Sequence, residues 1–297
     1  MKVFITGGSG FVGTVVIPEL LKSGHEVVGL ARSEESAAKL TSMGPNVTIV
    51  RGELVDLKIL KEAASEADAV IHLGFIHDFA KYAKCCEIDQ EATVAMLESL
   101  QGSNKAFVYT NGTLALPAGK VCNENVPSET SATRVRGQTE AIALSFKEKG
   151  VKVTCVRLAS TVHGPGDKVF IPMLIDIAKK SGKSGYVGNG ETAWPAVNRL
   201  DTGDLFKLVL EKGVAGGVYH AIAEQGVKTK DIAKAIGDIL DVPVVSIKAE
   251  DAQEHFGFLS TYFAKDGTTS SEITRKELGW RPRHLGLLEN LRTNYGS

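Results

Sequence analysis

The chain has no run of about 18 apolar residues, so no membrane-crossing helix is expected. It has almost no excess of charge. Thirty-four Lys and Arg stand against 35 Asp and Glu, a net charge of −1, and such a balance favours neither nucleic acid nor an anionic membrane as partner. Cysteine is scarce. Cys85, Cys86, Cys122 and Cys155 lack metal-ligand spacing, so no metal is expected. The adjacent Cys85 and Cys86 fall in a helical stretch and read as ordinary thiols rather than a redox centre. The N-terminus runs straight into an apolar stretch without a signal peptide, which with the scattered cysteines suggests a reducing, cytoplasmic setting. Internal repeats and low-complexity linkers are lacking too. What remains is 297 residues, 43% of them hydrophobic, enough to bury one large or two interleaved domains.

The informative segment comes first. Residues 2–6 are a short apolar, β-prone run. Thr6-Gly7-Gly8-Ser9-Gly10-Phe11-Val12-Gly13 follows, residues 12–22 read as a helix ended by Gly24-His25, and residues 26–31 form a second apolar strand. A strand, a glycine turn, a helix and a strand within about 35 residues make one βαβ unit. In such a turn the first glycine permits the tight bend. The second lets backbone approach a pyrophosphate, and the third lets the helix pack on the strand. The phosphates then face unpaired N–H groups at the positive end of the helix dipole. This points to a dinucleotide; the competing reading is a glycine-rich turn in an unliganded α/β protein. A P-loop is excluded, because no Gly-Lys-Ser/Thr follows.

Strands expected at 47–50, 69–73, 106–110 and 151–158 alternate with helices at 57–67, 89–100 and 131–149. This alternation implies an α/β fold, a doubly wound parallel sheet covered by helices on both faces. After Gly164-Pro165-Gly166 the pattern loosens. Helices are expected at 170–180, at 200–212 with Asp201 or Thr202 as N-cap, and at 229–240, with a strand at 218–223. The expected organisation is a dinucleotide-binding domain over 1–163, with 196–225 returning to it. Residues 164–195 and 226–297 would form a smaller substrate lobe over the open end of the sheet.

The residue after the second strand chooses between two nicotinamide cofactors. A carboxylate there accepts bonds from a ribose 2′-OH and repels a 2′-phosphate. Here Ala31 is followed by Arg32 and Ser33, and no acidic residue appears before Glu34. Arg32 and Ser33 suit a phosphate, so NADP(H) is expected over NAD(H); the alternative is that Arg32 is a solvated surface charge.

These residues resemble a known family. Thr6-Gly7-x-x-Gly10-x-x-Gly13 resembles the cofactor motif of the extended short-chain dehydrogenase/reductases. Gly52-Glu53-Leu54-Val55-Asp56 is similar to the family's acidic turn that contacts adenine. His72-Leu73-Gly74 resembles the strand end beside the nicotinamide ribose, Val162-His163-Gly164-Pro165-Gly166-Asp167 its Val-Tyr-Gly-Pro-Gly-Asp, and Leu278-Gly279-Trp280-x-Pro282 its C-terminal signature. The resemblance implies a Rossmann core with a small C-terminal lobe, as in the NAD-dependent epimerase/dehydratase group. It assigns to the cofactor Gly7, Gly10, Phe11, Val12, Gly13, Arg32, Ser33, Glu53, Leu54, Leu73, Gly74, Thr110 and Thr161. It also suggests a homodimer through the helices expected at 89–100 and 131–149.

One departure bears on the chemistry. The family's Tyr-x-x-x-Lys pair, whose Lys and nicotinamide lower the Tyr pKa for proton exchange, is absent. None of Tyr82, Tyr109, Tyr186, Tyr219, Tyr262 and Tyr295 is followed by Lys four residues on. Alignment on Glu140 puts Arg136 in the Lys slot and Ala132 in the Tyr slot, as in atypical subgroups. Three positions then qualify for catalysis: Thr113 as a hydrogen-bond donor, Arg136 as a fixed positive charge, and His163 as a general acid. Each has a plain structural alternative, respectively a loop cap, a surface helix charge and a packed loop histidine. Asn111 and Tyr109 are weaker candidates. Trp194 and Phe256-Gly257-Phe258 read as core or pocket wall, and Tyr262 as within reach of the pocket. The expected activity is NADPH-dependent reduction of a carbonyl, C=N or activated C=C bond in a small molecule, with a non-standard proton donor. The competing readings are a catalytically silent redox sensor, a nucleotide-sugar epimerase or dehydratase, and an isomerase using its cofactor structurally.

Overall fold

Seven strands pair in parallel in one sheet whose order, β10-β6-β5-β4-β1-β2-β3, reverses direction of winding at β1. A computed structural model describes residues 1–131 and 134–295. In chain order the elements are β1 (Lys2–Thr6), α1 (Gly13–Lys22), β2 (Glu26–Ala31), α2 (Glu34–Thr41), β3 (Val47–Arg51), α3 (Leu57–Glu66), β4 (Ala69–His72), α4 (Tyr82–Ser99), β5 (Ala106–Gly112), α5 (Val135–Ser145) and β6 (Lys152–Leu158). There follow β7 (Thr161–His163), α6 (Phe170–Ser181), β8 (Ser184–Val187), β9 (Ala193–Asn198), α7 (Arg199–Lys212), β10 (Val218–Ala221), β11 (Glu224–Lys228), α8 (Thr229–Leu240) and β12 (Val244–Ile247). Short helices α9 (Ala252–Phe256), α10 (Ser260–Phe263), α11 (Glu272–Leu278) and α12 (Leu287–Asn294) complete the chain.

Both faces of the sheet are covered, which is why its strands read as continuous apolar runs. On one face Ile5, Val16, Ile17 and Leu20 pack with Phe206 under α1 and α7. On the other, Phe4, Leu60, Met96 and Phe107 pack under α3 and α4. The α1–α7 crossing is close: a Cβ on Gly203 would lie 2.6 Å from the Val15 carbonyl oxygen. β10 pairs with β6 from Val218↔Cys155, so β10 completes the main sheet, with α7 packed on its face. The lobe has a separate core that includes Trp194, Ile232, Phe256, Phe263, Leu287 and Leu291. Among the described residues no helix is long and apolar enough to cross a membrane.

Three sequence expectations are corrected. α4 begins at Tyr82, seven residues before the expected start at 89. α5 starts at Val135 and gives way to a 3-10 turn, Phe146–Lys149. The N-cap of α7 is Asn198, whose side chain accepts from Leu200 N at 3.1 Å. Asp201 faces the C-terminal segment instead, accepting from the amides of Arg283 at 2.9 Å and His284 at 3.2 Å, while Trp280 Nε1 donates to the Asp201 carbonyl at 3.0 Å. Ala132, in the expected Tyr slot, lies outside the described residues.

Candidate functional site

The carboxyl ends of β1, β4, β5 and β6 open into a cleft of about 1170 Å³, placed where winding reverses, as ligand sites in open α/β sheets are. Its floor is the first glycine turn. Gly7 has φ +70°, and a Cβ there would lie 2.7 Å from Gly74 N, so the turn accepts only glycine. A Cβ on Gly13 would lie 2.5 Å from the Gly7 oxygen and Gly8 Cα, which seats the start of α1 on the turn. No side chain caps this helix end. The Thr14 and Val15 amides donate to the Gly10 and Val12 carbonyls at 3.1 and 3.0 Å, and Gly10, Phe11, Val12 and Gly13 line the cleft where the positive end of the helix dipole lies.

At one end of the cleft stand Leu30, Arg32, Ser36, Glu53 and Leu54. Ser33 does not line it. Its hydroxyl accepts from Ser36 N at 3.2 Å in a reciprocal capping box that starts α2. Arg51 draws Glu34 aside, donating to its carboxylate at 2.6 Å and to the Ser33 carbonyl at 3.0 Å.

At the other end Gly74, Thr110, Thr161 and Arg136 line the cleft. The Thr110 and Thr161 hydroxyls are buried and have no hydrogen-bond partner among the described residues. Buried polar atoms are normally paired, so these two suit a polar group entering the cleft. Behind them runs a buried network. The Gly74 amide donates to Thr6 Oγ1 at 3.0 Å, and Thr6 Oγ1 lies 2.6 Å from His72 Nδ1. His72 Nε2 lies 3.3 Å from Asp89 Oδ1. Asp89 Oδ2 accepts from Tyr109 at 3.0 Å and pairs with Arg136 at 2.8 Å. Burial alone would raise the Asp89 carboxyl, but Arg136, His72 and Tyr109 hold it below the usual range. Burial pushes the Tyr109 phenol well above its ordinary value. Arg136 also donates to the Thr110 carbonyl at 2.6 Å and lies 4.6 Å over the Phe75 ring. Its charge is thus fixed in place, and the Asp89 pairing outweighs burial to keep it protonated.

Twelve of the thirteen residues assigned to a cofactor by sequence line this one cleft, Ser33 being the exception. Of the three catalytic candidates only Arg136 does. Thr113 is buried in a 3-10 turn after β5 and lines a side pocket of about 160 Å³. His163 is fully buried away from the cleft lining, and burial pulls its ring down to about 4. It is neutral near pH 7 and poorly placed to deliver a proton. Asn111 lines the cleft, but its amide donates to Glu140 at 2.6 Å in a second buried pair with Arg157. Trp194 walls the side pocket and Phe256 packs in the lobe core. Tyr262 lines both cavities.

Sequence reasoning missed Phe75, Tyr82 and Cys86, which line the cleft from the loop after β4 and the first turns of α4. The early start of α4 carries Tyr82 and Cys86 there. The Tyr82 ring is 6.0 Å from Phe75, and partial burial raises its hydroxyl well above the usual phenol. Burial also raises the Cys86 thiol, which disfavours the thiolate a nucleophile needs.

The sequence profile of the NAD dependent epimerase/dehydratase family matches residues 3–222. The chain is 60% identical over 295 residues to an uncharacterized protein of Saccharomyces cerevisiae, covering 99% of each. It is 47% identical over 241 residues to the sterol-4-alpha-carboxylate 3-dehydrogenase, decarboxylating, of Dictyostelium discoideum, covering 74% of this chain and 70% of that one. Among solved structures, the dTDP-glucose 4,6-dehydratase of Bacillus anthracis in complex with NAD shares the fold with a TM-score of 0.74 at 18% identity, covering 98% of this chain and 94% of that one.

Proposed function

The chain belongs to the NAD dependent epimerase/dehydratase family, and on that premise we propose that it is an NADPH-dependent reductase of a carbonyl group in a small organic molecule. It is an oxidoreductase of the short-chain dehydrogenase/reductase type. The observation that carries the NADPH reading is the pairing at the mouth of the cleft. Arg32 and Ser36 line it, while Arg51 holds the nearest carboxylate, Glu34, aside. A guanidinium and a hydroxyl favour a 2′-phosphate through charge-assisted bonds.

The residues present fit a dinucleotide. The turn at Gly7, Gly10 and Gly13 with the positive end of α1 would hold the pyrophosphate, Glu53 and Leu54 would flank the adenine, and the buried Thr110 and Thr161 hydroxyls would orient the nicotinamide end. When bound, the reduced nicotinamide supplies a hydride to the carbonyl carbon, whose oxygen then takes one proton to leave an alcohol. Arg136, clamped by Asp89, presents a fixed positive charge that polarises the carbonyl. Its raised pKa makes it a charge rather than an acid. We assign the proton to the Tyr82 hydroxyl. It faces the cleft, stays protonated through the ordinary pH range, and an alkoxide is basic enough to take its proton. Tyr82 then recovers a proton from solvent through its exposed side.

The test mixes purified protein with NADPH and a panel of ketones and aldehydes while nicotinamide absorbance is followed. Turnover that falls at least tenfold in Tyr82→Phe supports the reading. Tight NADPH binding with no turnover of any acceptor overturns it.

A further inference from the structure

The substrate end of the cleft is built from aromatic rings. One wall comes from the segment after β4, with Phe75 and Tyr82 at 6.0 Å between centroids. The other comes from the C-terminal lobe, with Phe170 and Tyr262 at 6.2 Å, and Phe170 is backed by Trp194 at 5.5 Å. All four of these wall residues line the same cleft. Rings presented from two sides favour a flat, polarisable guest, because offset and edge-on contacts add to area burial.

The charges of the cleft are of both signs: Lys168 lines it and Lys265 lines the side pocket, beside the arginines. A nucleotide sugar carries a diphosphate, which needs several charge-assisted donors. Arg136 is paired with Asp89 at 2.8 Å, and Arg134 with Glu129 at 3.2 Å. The cleft also branches at Leu114, Arg134, Ser160 and Tyr262 into the side pocket. That pocket holds the carboxylates of Glu129 and Asp266 beside the cations of Arg134 and Lys265. Its volume of about 160 Å³ suits one benzene-sized group.

We propose that the substrate is an aryl or conjugated carbonyl compound. Its ring lies between the Phe75–Tyr82 and Phe170–Tyr262 walls, and a substituent of one ring's size enters the side pocket past Leu114. This rests on the carbonyl-reductase reading and names the substrate class of that same site.

The experiment has a binding arm and a turnover arm, both on the full-length protein. In the first, calorimetry on the protein saturated with NADP⁺ compares naphthylmethanol, propanol and UDP-glucose. Naphthylmethanol is expected to bind at least tenfold more tightly than either other probe. Tyr262→Ala should weaken it by about fivefold to tenfold, the contribution of one aromatic contact, and Tyr262→Phe should restore it. Leu114→Phe, at the neck, should weaken naphthylmethanol more than benzyl alcohol. NADPH binding by each variant reports that it is folded. UDP-glucose binding as tightly as naphthylmethanol, or propanol doing so, overturns the proposal. In the second arm, equal kcat/KM for acetone and acetophenone overturns the substrate class while leaving the reductase reading intact. Selective naphthylmethanol binding with no carbonyl reduced sinks the reductase reading and supports the ligand class.

Discussion

Replacing Arg32 by Ala tests the cofactor assignment at a single side chain. Arg32 lines the cleft at an exposed position beside Ser36. A hydrogen bond to a charged group contributes about 1.5–3 kcal/mol. Solvent screening at this exposed position puts Arg32 in the lower half of that range, about 1.5–2 kcal/mol. At about 1.4 kcal/mol per tenfold, Arg32→Ala should weaken NADPH binding by about tenfold to thirtyfold. NADH lacks the 2′-phosphate, so its affinity should stay within about twofold, and the NADPH-to-NADH preference should fall by the same factor as NADPH affinity. Arg51→Ala offers a second perturbation. It releases Glu34, which Arg51 holds at 2.6 Å, and the freed carboxylate should repel the phosphate and weaken NADPH by a few-fold. Titration calorimetry with both nucleotides gives each affinity. Raising ionic strength from about 0.01 to 0.15 M should narrow the wild-type preference, because the contact is open to salt. A preference that is unchanged in Arg32→Ala, or an equal loss for both nucleotides, would refute the argument and leave Arg32 as a surface charge.

Gly13→Ala should abolish binding of both nucleotides, since its Cβ would sit 2.5 Å from the Gly7 oxygen; the same titration reads the loss, expected to exceed tenfold. Asp89→Ala should destabilise the fold by about 3–5 kcal/mol, because it strands the Arg136 charge and the Tyr109 hydroxyl beside a 1% exposed position. A lowered denaturation midpoint in urea checks this. His163 sets a pH dependence. Burial holds its native pKa at about 4 against 6.5 when unfolded, so the native state favours the neutral ring. The associated stability is fully present above pH 6.5 and is lost as pH falls towards 4, in total about 3 kcal/mol. His220 shifts the same way. Urea midpoints measured from pH 7 to 4 should fall, and His163→Leu should flatten the fall by about one proton's worth; an unchanged slope would argue against a buried neutral His163.

How much of this was legible before folding depends on the distance over which each feature is specified. The βαβ start was readable to within a residue or two, because the turn at Gly7 to Gly13 needs a positive φ and close backbone contacts that only glycine allows. The strands of the main sheet were readable because burial on both faces makes each an unbroken apolar run. The short strands β7, β8, β9, β11 and β12 were not. Each has only three to six residues, and β8 pairs with a strand some sixty positions away, at Ser184↔Val244. The helix cap at Asn198 was misplaced onto Asp201 or Thr202 because a local rule cannot see Arg283 and His284 claiming the Asp201 carboxylate. In the site, Arg32 was found because it directly follows β2, whose register beside β1 (Ile5↔Gly29) puts its end at the cleft. Ser33 looked equivalent in sequence, but capping α2 turned its hydroxyl away.

The sequence by itself determined the dinucleotide turn, the alternation of strands and helices and the absence of a Tyr-x-x-x-Lys pair, since each is set by residues within a few positions of one another. Only the tertiary structure decided what surrounds the reacting end. It clamps Arg136 on Asp89, forty-seven positions away, and it brings Tyr82 on α4 and Tyr262 on α10 to one cleft. It also buries His163, which by its place in the chain had seemed a ready acid. A backbone turn is constrained by its own sterics. The exposure and charge of a side chain are constrained by whatever packs against it, and that is settled only when distant segments meet.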